Sequence, residues 1–261
     1  SGFGHTGPYS KRAAYDLVVQ AMGGVMSLTG QPGGEPTRVG SSIGDMTAGM
    51  FTAIGINAAL FYREKTGEGQ KIDVAMLDSQ VAILENAIAR YSATGEVPGP
   101  LGARHPSITP FDAFKAADSH IVIAAGNDSL FSILCETIGQ AGLSESPLFK
   151  TNLLRTENCA VLKEKLEKAL KKKTVAEWNE VFDKAGVPSG PINKVDQVLT
   201  DPQVLSRNMV VTAKDKIAGP LKMAGNPIKM SAFDDPATRQ PAPELDADRE
   251  QILSELIIHK H

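Results

Sequence analysis

The sequence predicts an α/β chain divided into two domains. Three observations carry that expectation: a helical repeat of apolar residues from Asp45 to Lys65, an alternating apolar run from Gln70 to Met76, and a stretch from Thr94 to Pro110 whose prolines and glycines deny regular structure before strand and helix signals resume. At 261 residues the chain exceeds a typical single domain and is long enough to bury a sizeable core.

Taken in order, Tyr15 to Leu28 reads as a helix with Leu17, Val18, Ala21 and Val25 on one side, followed by the loop Thr29 to Gly34. From Asp45 to Lys65 the residues Met50, Ile54, Ala58 and Phe61 recur at helical spacing, and Gly67 stops the run. Gly67 and Gly69 turn the chain into Gln70 to Met76, where Ile72, Val74 and Met76 alternate with Lys71, Asp73 and Ala75 as in a strand with one covered face. A helix from Asp78 to about Ala93 follows. The Pro/Gly linker, residues 94–110, then separates a first domain, 1–93, from a smaller α+β domain, 111–186.

In that smaller domain Phe111 to Lys115 and His120 to Ala125 read as a strand pair, with Asn127 or Asp128 capping a helix to Gly139. A helix spans Cys159 to Lys172. Thr174 and Glu177 form a capping box that opens another, with Trp178 and Phe182 inward. Residues 187–225 read as a second long linker with a short helix and strand-like stretches at Met209 to Ala213 and Pro220 to Met223. Residues 226–261 return to the first domain and end in a helix near Asp246 to Ile258.

A formal charge of −3 carries no basic excess for a phosphate backbone, which argues against nucleic acid and for a small ligand. Cys135 and Cys159 have neither disulfide-framework nor metal spacing, so both read as buried thiols in a reducing compartment, with a cytoplasmic location expected. A mitochondrial one follows if a targeting segment precedes Ser1. No run is long and apolar enough to span a bilayer, so no membrane partner is expected.

Gly2-Phe3-Gly4-His5-Thr6-Gly7 matches GxGxxG, but it has no strand before it and no helix after it, so a plain tight turn is favoured over a phosphate site. The lysines from Lys163 to Lys173 interleave with Glu164 and Glu167 opposite Leu162, Leu166 and Leu170, which is a solvated amphipathic helix. The five histidines show no paired-ligand spacing, and no metal is expected. His105 lies in the inter-domain loop, where it is either a plain loop residue or part of a cleft.

Asp45 is the candidate centre. Aspartate is a preferred N-cap and a helix begins after it, so capping alone would explain the residue type. Two features point further: Gly44 leaves room for a ligand carbonyl, and a helix N-terminus favours a negative group while offering N–H donors to a developing oxyanion. A carboxylate free of a cation is what a covalent nucleophile requires.

Six ordered pieces, "SGFGHTGP", "YDLVVQAMGG", "GDMTAGM", "REKTGEGQKIDVAML", "HPSITPFDAFKA" and "GVPSGPI", resemble the family III CoA transferases, of the formyl-CoA transferase and carnitine CoA-transferase (CaiB/BaiF) type. The resemblance covers nearly the whole chain. It lacks the family's N-terminal part, which would precede Ser1 and supply strands of a Rossmann-like large domain and much of the CoA nucleotide pocket. It implies that Asp45 is the nucleophile, passing through an aspartyl-CoA thioester between an acyl-CoA and a free carboxylic acid. Coenzyme A and acyl-CoA are then substrates, with no permanently bound cofactor.

The resemblance further places Tyr15 near the reacting centre, where 2-methylacyl-CoA racemases carry a histidine base; a phenol is a poor base near neutral pH. Met76 matches a residue that contacts CoA, and Arg12 is assigned a phosphate or carboxylate contact, each against a bland alternative of packing or plain exposure. Asp16 either orients neighbouring groups or faces solvent. His105 lines the acceptor pocket from a loop, Gly102 to Pro106, that closes from the smaller domain. The missing run of glycines disfavours oxalate and formate and favours a longer acid, such as a dicarboxylate related to succinate. An interlocked homodimer, or completion by an N-terminal segment, is the implied assembly. The alternatives are a racemase using Asp45 as one base and a silent subunit whose Asp45 only caps its helix.

Overall fold

The computed structural model describes residues 1–215 and 217–258. The chain divides into two units, Ser1–Gly190 and Pro191–His261. Mixed helix and strand content agrees with the expected α/β class, although both sheets are small.

The first unit opens with five helices: α1 (Asp16–Met22), α2 (Val25–Leu28), α3 (Ile43–Thr66), α4 (Met76–Ala82) and α5 (Asn86–Thr94). The single helix expected from Tyr15 to Leu28 is broken because Gly23 must pass close to α4, where a Cβ would stand 2.4 Å from Gln80 Cβ, and Gly24 then takes φ +86°. The helix expected from Asp78 to Ala93 is likewise two helices, parted at Glu85, whose φ is +54°. The strand expected at Gln70 to Met76 is not one. That segment is extended but forms no ladder among the described residues; Met76 opens α4 instead, and the segment's end is tied to the N-terminal turn by Met76 N–H to Ser1 O at 2.8 Å and Leu77 N–H to Gly2 O at 3.1 Å. The GxGxxG motif is a turn with Gly4 and Gly7 at φ +86° and +80°.

Helix faces also differ from expectation. In α1 the buried residues are Asp16, Val19 and Gln20, while Leu17 and Val18 are exposed. In α3 the covered stripe is small: Gly44 and Thr47 are buried, and a Cβ on Gly55 would stand 3.2 Å from Ile72 Cγ2. The large residues Met50, Ile54 and Phe61 stand on the exposed side.

The rest of the unit holds β1 (Phe111–Lys115), β2 (His120–Ala124), α6 (Asp128–Thr137), a 3₁₀ turn (Ala141–Leu143), α7 (Asn152–Glu157), α8 (Cys159–Leu170), α9 (Val175–Ala185) and β3 (Ser189–Pro191). β1 and β2 pair antiparallel with Ala113 opposite Val122, as the alternation required, and β3 lies on the far side of β2. Asn127 caps α6 by accepting from Leu130 N–H, and Thr174 with Glu177 forms the expected capping box on α9. Phe114, Ile121, Ile123, Phe131, Leu166 and Phe182 belong to one apolar core, each side chain contributing about 1.5–3 kcal/mol by burial. Trp178 stacks on Phe182 with ring centroids 5.2 Å apart and donates from Nε1 to Leu170 O at 2.6 Å. Arg155 of α7 is fully buried beside this core.

Of the two thiols, only Cys135 is buried; Cys159, expected to be buried, is partly open. Burial pushes the Cys135 thiol up to about 12, so at pH 8 it is almost wholly protonated and a poor nucleophile. Iodoacetamide is therefore expected to label Cys159 well before Cys135, with Cys135 reacting only after denaturation; equal labelling rates by peptide mass would contradict this placement.

The second unit contains α10 (Val195–Val198), α11 (Pro202–Ser206), β4 (Val210–Asp215), β5 (Gly219–Ala224), β6 (Thr238–Arg239) and α12 (Arg249–Ile258). β4 is central, antiparallel to β5 and parallel to β6. Asp235 is held well below the usual carboxylate range, at about 2, by Lys229 and Arg239.

Candidate active site

Helix α3 begins at Ile43, with Ser42 as its uncapped N-terminal residue, so Asp45 is the third residue of the helix and not its cap. Its side chain is exposed. Among the described residues neither its carboxylate nor its N–H has a hydrogen-bond partner, and no cation lies within ion-pair distance. Capping thus does not account for the residue. What remains is a bare acid on a first helical turn, with a free N–H beside it that could receive a ligand oxygen.

A buried polar network holds this turn from below. The Gly44 N–H donates to Asp16 Oδ1 at 2.8 Å, Gln20 Nε2 donates to Asp16 Oδ2 at 2.8 Å, and the Val39 N–H donates to Gln20 Oε1 at 2.9 Å. Gln80 Nε2 reaches Thr47 Oγ1 at 3.3 Å, and Thr47 donates to Ile43 O at 2.7 Å. Asp16, Gln20, Thr47 and Gln80 are all buried, so each bond forms where an unpaired group would be costly.

This arrangement corrects two sequence expectations. Gly44 is small because α1 packs there: a Cβ would stand 2.7 Å from Val19 Cγ2 and 3.0 Å from Asp16 Oδ1. Its N–H is engaged by Asp16 and is not available to a ligand. Asp16 is buried and does not face solvent; of the two expectations for it, its bonds to Gly44 and Gln20 fit the orienting one. Gln20, Thr47 and Gln80 went unnoticed in the sequence, although two glutamines inside the apolar runs LVVQAM and SQVAIL are a legible anomaly for helices expected to bury apolar faces.

The other sequence candidates are placed apart from Asp45 in bonding terms. Tyr15 immediately precedes α1, and its side chain is 83% exposed. Arg12 lies over the rings of Tyr9 and Phe3, its guanidinium carbon 4.5 and 5.4 Å from their centroids. Met76 is half-buried at the start of α4. Asp45 is hydrogen-bonded to none of these.

His105 sits in a loop that is fastened at several points. Its N–H donates to Phe111 O at 2.9 Å, Gly102 N–H donates to Gly30 O at 2.9 Å, and Asn152 of α7 accepts from Thr109 N–H and donates to Ser107 O. His105 Nδ1 accepts from the N–H groups of Ser107 and Ile108 at 3.2 and 3.1 Å. In the neutral ring the proton therefore resides on Nε2, which becomes a donor. Arg155 supports the same loop from α7 by donating Nε–H to Thr109 O at 2.7 Å.

Comparison with known proteins gives one consistent result. The family model for CoA-transferase family III matches residues 1–249. An acetyl-CoA:oxalate CoA-transferase of Acetobacter aceti is 47% identical over 247 residues, covering 94% of this chain and 62% of that protein. A succinate–glutarate CoA-transferase of Agrobacterium fabrum is 35% identical over 268 residues, covering 98% of this chain and 64% of that one. A crystal structure of a CAIB/BAIF family protein from Brucella suis superposes with a TM-score of 0.81 at 37% identity, over 98% of this chain and 66% of that one. The chain thus spans less than two thirds of the length of each of these relatives.

Proposed function

This chain belongs to CoA-transferase family III, and from that premise we propose that it carries the nucleophile for moving CoA between an acyl-CoA thioester and a free dicarboxylic acid. The observation that carries the reading is the state of Asp45: exposed, unpaired among the described residues, and beside its own unengaged N–H. The Asp45 carboxylate attacks the thioester carbonyl, giving a mixed anhydride and CoA thiolate. The thiolate attacks the Asp45 side of the anhydride, which releases the donor acid and leaves an aspartyl-CoA thioester. The acceptor carboxylate then attacks that thioester, and the released thiolate takes the acceptor acyl group from the second anhydride, freeing Asp45. One thioester replaces another, so no ATP is consumed, and the covalent route divides one hard displacement into easier ones.

In this scheme Asp16, through Gly44, is a positioning residue. Tyr15, Met76 and Arg12 contact acyl-CoA, and a Rossmann-like large domain with an interlocked homodimer completes the nucleotide pocket. The relatives named for oxalate and for succinate and glutarate support a dicarboxylic acceptor. A missing glycine run is no reason to set oxalate aside when the relative named for it is 47% identical.

Trapping tests the reading. The full-length protein incubated with succinyl-CoA and quenched with hydroxylamine is expected to yield a hydroxamate on the peptide containing Asp45. CoA exchange that proceeds with that peptide unmodified would contradict it.

A further inference from the structure

Gln80 is a residue that the stability of the fold does not explain. It lies fully buried in α4, at the head of the apolar run QVAIL, yet it carries an amide. Its Nε2 makes a single long bond, to Thr47 Oγ1 at 3.3 Å, and its Oε1 is buried and accepts from no group among the described residues. Turning the amide over would put Nε2 in the unpartnered place, so neither orientation satisfies both atoms. A buried oxygen without a donor costs more than one long neutral bond returns. Methionine has the same unbranched reach and would fill the space with no orphaned group.

The amide fixes a hydroxyl. Because Thr47 Oγ1 accepts from Gln80, its one hydrogen is left for α3, and it goes to Ile43 O at 2.7 Å, with Gly44 O at 3.3 Å. Ile43 and Gly44 are the two residues before Asp45. Their turn needs such a hold, since Ser42 supplies no side-chain cap and Gly44 restrains its own backbone least. Asp16 holds the turn from α1 at the Gly44 N–H, and the Thr47 hydroxyl holds it at the carbonyls. Resting on the reading of Asp45 as the nucleophile, we propose that Gln80 is a positioning residue: through Thr47 it aims the first turn of α3 from α4, at a cost to stability. A shift of about 1 Å in a reacting group is enough to slow chemistry by about 10²-fold.

Gln80→Met, Thr47→Val and the double variant of the full-length protein test this. Gln80→Met is expected to keep or raise the urea midpoint, while kcat for CoA transfer from succinyl-CoA falls about tenfold or more with KM unchanged. The double variant should be no slower than Thr47→Val alone, because both changes act through one hydroxyl. Hydrogen exchange supplies a readout that does not depend on transfer. The Gly44 and Met46 amides, bonded to Asp16 Oδ1 and Ser42 O, should exchange about tenfold faster in Gln80→Met. If the parent forms no hydroxamate at Asp45, the transfer reading fails by itself, and amide exchange alone decides whether Gln80 holds the turn. The assignment to Gln80 is overturned if Gln80→Met keeps the parent kcat, if its loss of activity follows a lowered urea midpoint, if the two single losses add in the double variant, or if exchange at Gly44 and Met46 is unchanged.

Discussion

Asp45→Asn is expected to lower CoA transfer by about 10⁴-fold or more, the scale on which removal of a covalent nucleophile acts, while leaving the fold intact. An amide of the same shape cannot form the anhydride, so the loss falls on chemistry and not on packing. The structural cost is small because the carboxylate accepts no hydrogen bond among the described residues and its side chain is exposed. Loss of a negative charge in the first turn of a helix weakens its interaction with the helix dipole by about 0.3–1 kcal/mol. Steady-state assays beside thermal melts separate the two effects. A variant that keeps a tenth of the parent activity, or one that loses activity only by unfolding, would remove Asp45 from the centre of the mechanism.

Arg155→Ala should carry the largest stability effect of any single exchange considered, about 3–5 kcal/mol. The side chain is fully buried and serves three acceptors: Thr109 O at 2.7 Å, Phe149 O at 3.0 Å and Asp128 Oδ1 at 2.6 Å. Its guanidinium carbon also lies 4.6 Å from the Phe131 ring centroid. The Asp128 bond is the weakest contributor, since that carboxylate is 64% exposed and screened by water. The cost comes from two carbonyl groups left without a donor and from the void beside Phe131. Arg155→Lys should restore little, because a single ammonium cannot reproduce the planar fork. Urea midpoints give the measurement, and a shift worth less than about 1 kcal/mol for Arg155→Ala would show that the network rearranges freely.

These two residues also mark what could be read in advance. Asp45 was legible because an acid between small residues at the start of a long periodic helix is locally unusual. Arg155 was not, since an arginine in a polar stretch reads as solvent-exposed until the carbonyl groups around it are known. The Thr174–Glu177 capping box, the antiparallel pair at Phe111 and His120, and the strand-like stretches that became β4 and β5 came through because their signals are local, although the pairing of those two stretches was not foreseen. The run at Ile72 alternated as a strand should, yet a strand exists only when another backbone pairs with it, and the residues near it in sequence cannot supply that. In α1 and α3 the periodicity identified helices but not their covered faces. Those faces were chosen by close approach of backbones at Gly23, Gly44 and Gly55, and by a carboxylate and two glutamines, none of which a hydrophobic pattern detects.

The bonds at Asp16 run in one direction. Val39 donates to Gln20, Gln20 donates in turn to Asp16 Oδ2, and Gly44 donates to Oδ1 from the other side, so the carboxylate ends the chain as an acceptor only. An asparagine at position 16 would set its own N–H against one of the two donors, Gln20 Nε2 or the Gly44 N–H. Turning the Gln20 amide to match would only transfer the clash to Val39, so no local flip can mend the sequence of donors and acceptors. The position is therefore poorly suited to a neutral isostere, and two segments distant along the chain, α1 and residues 39–44, share a single polarity that is set by one acid.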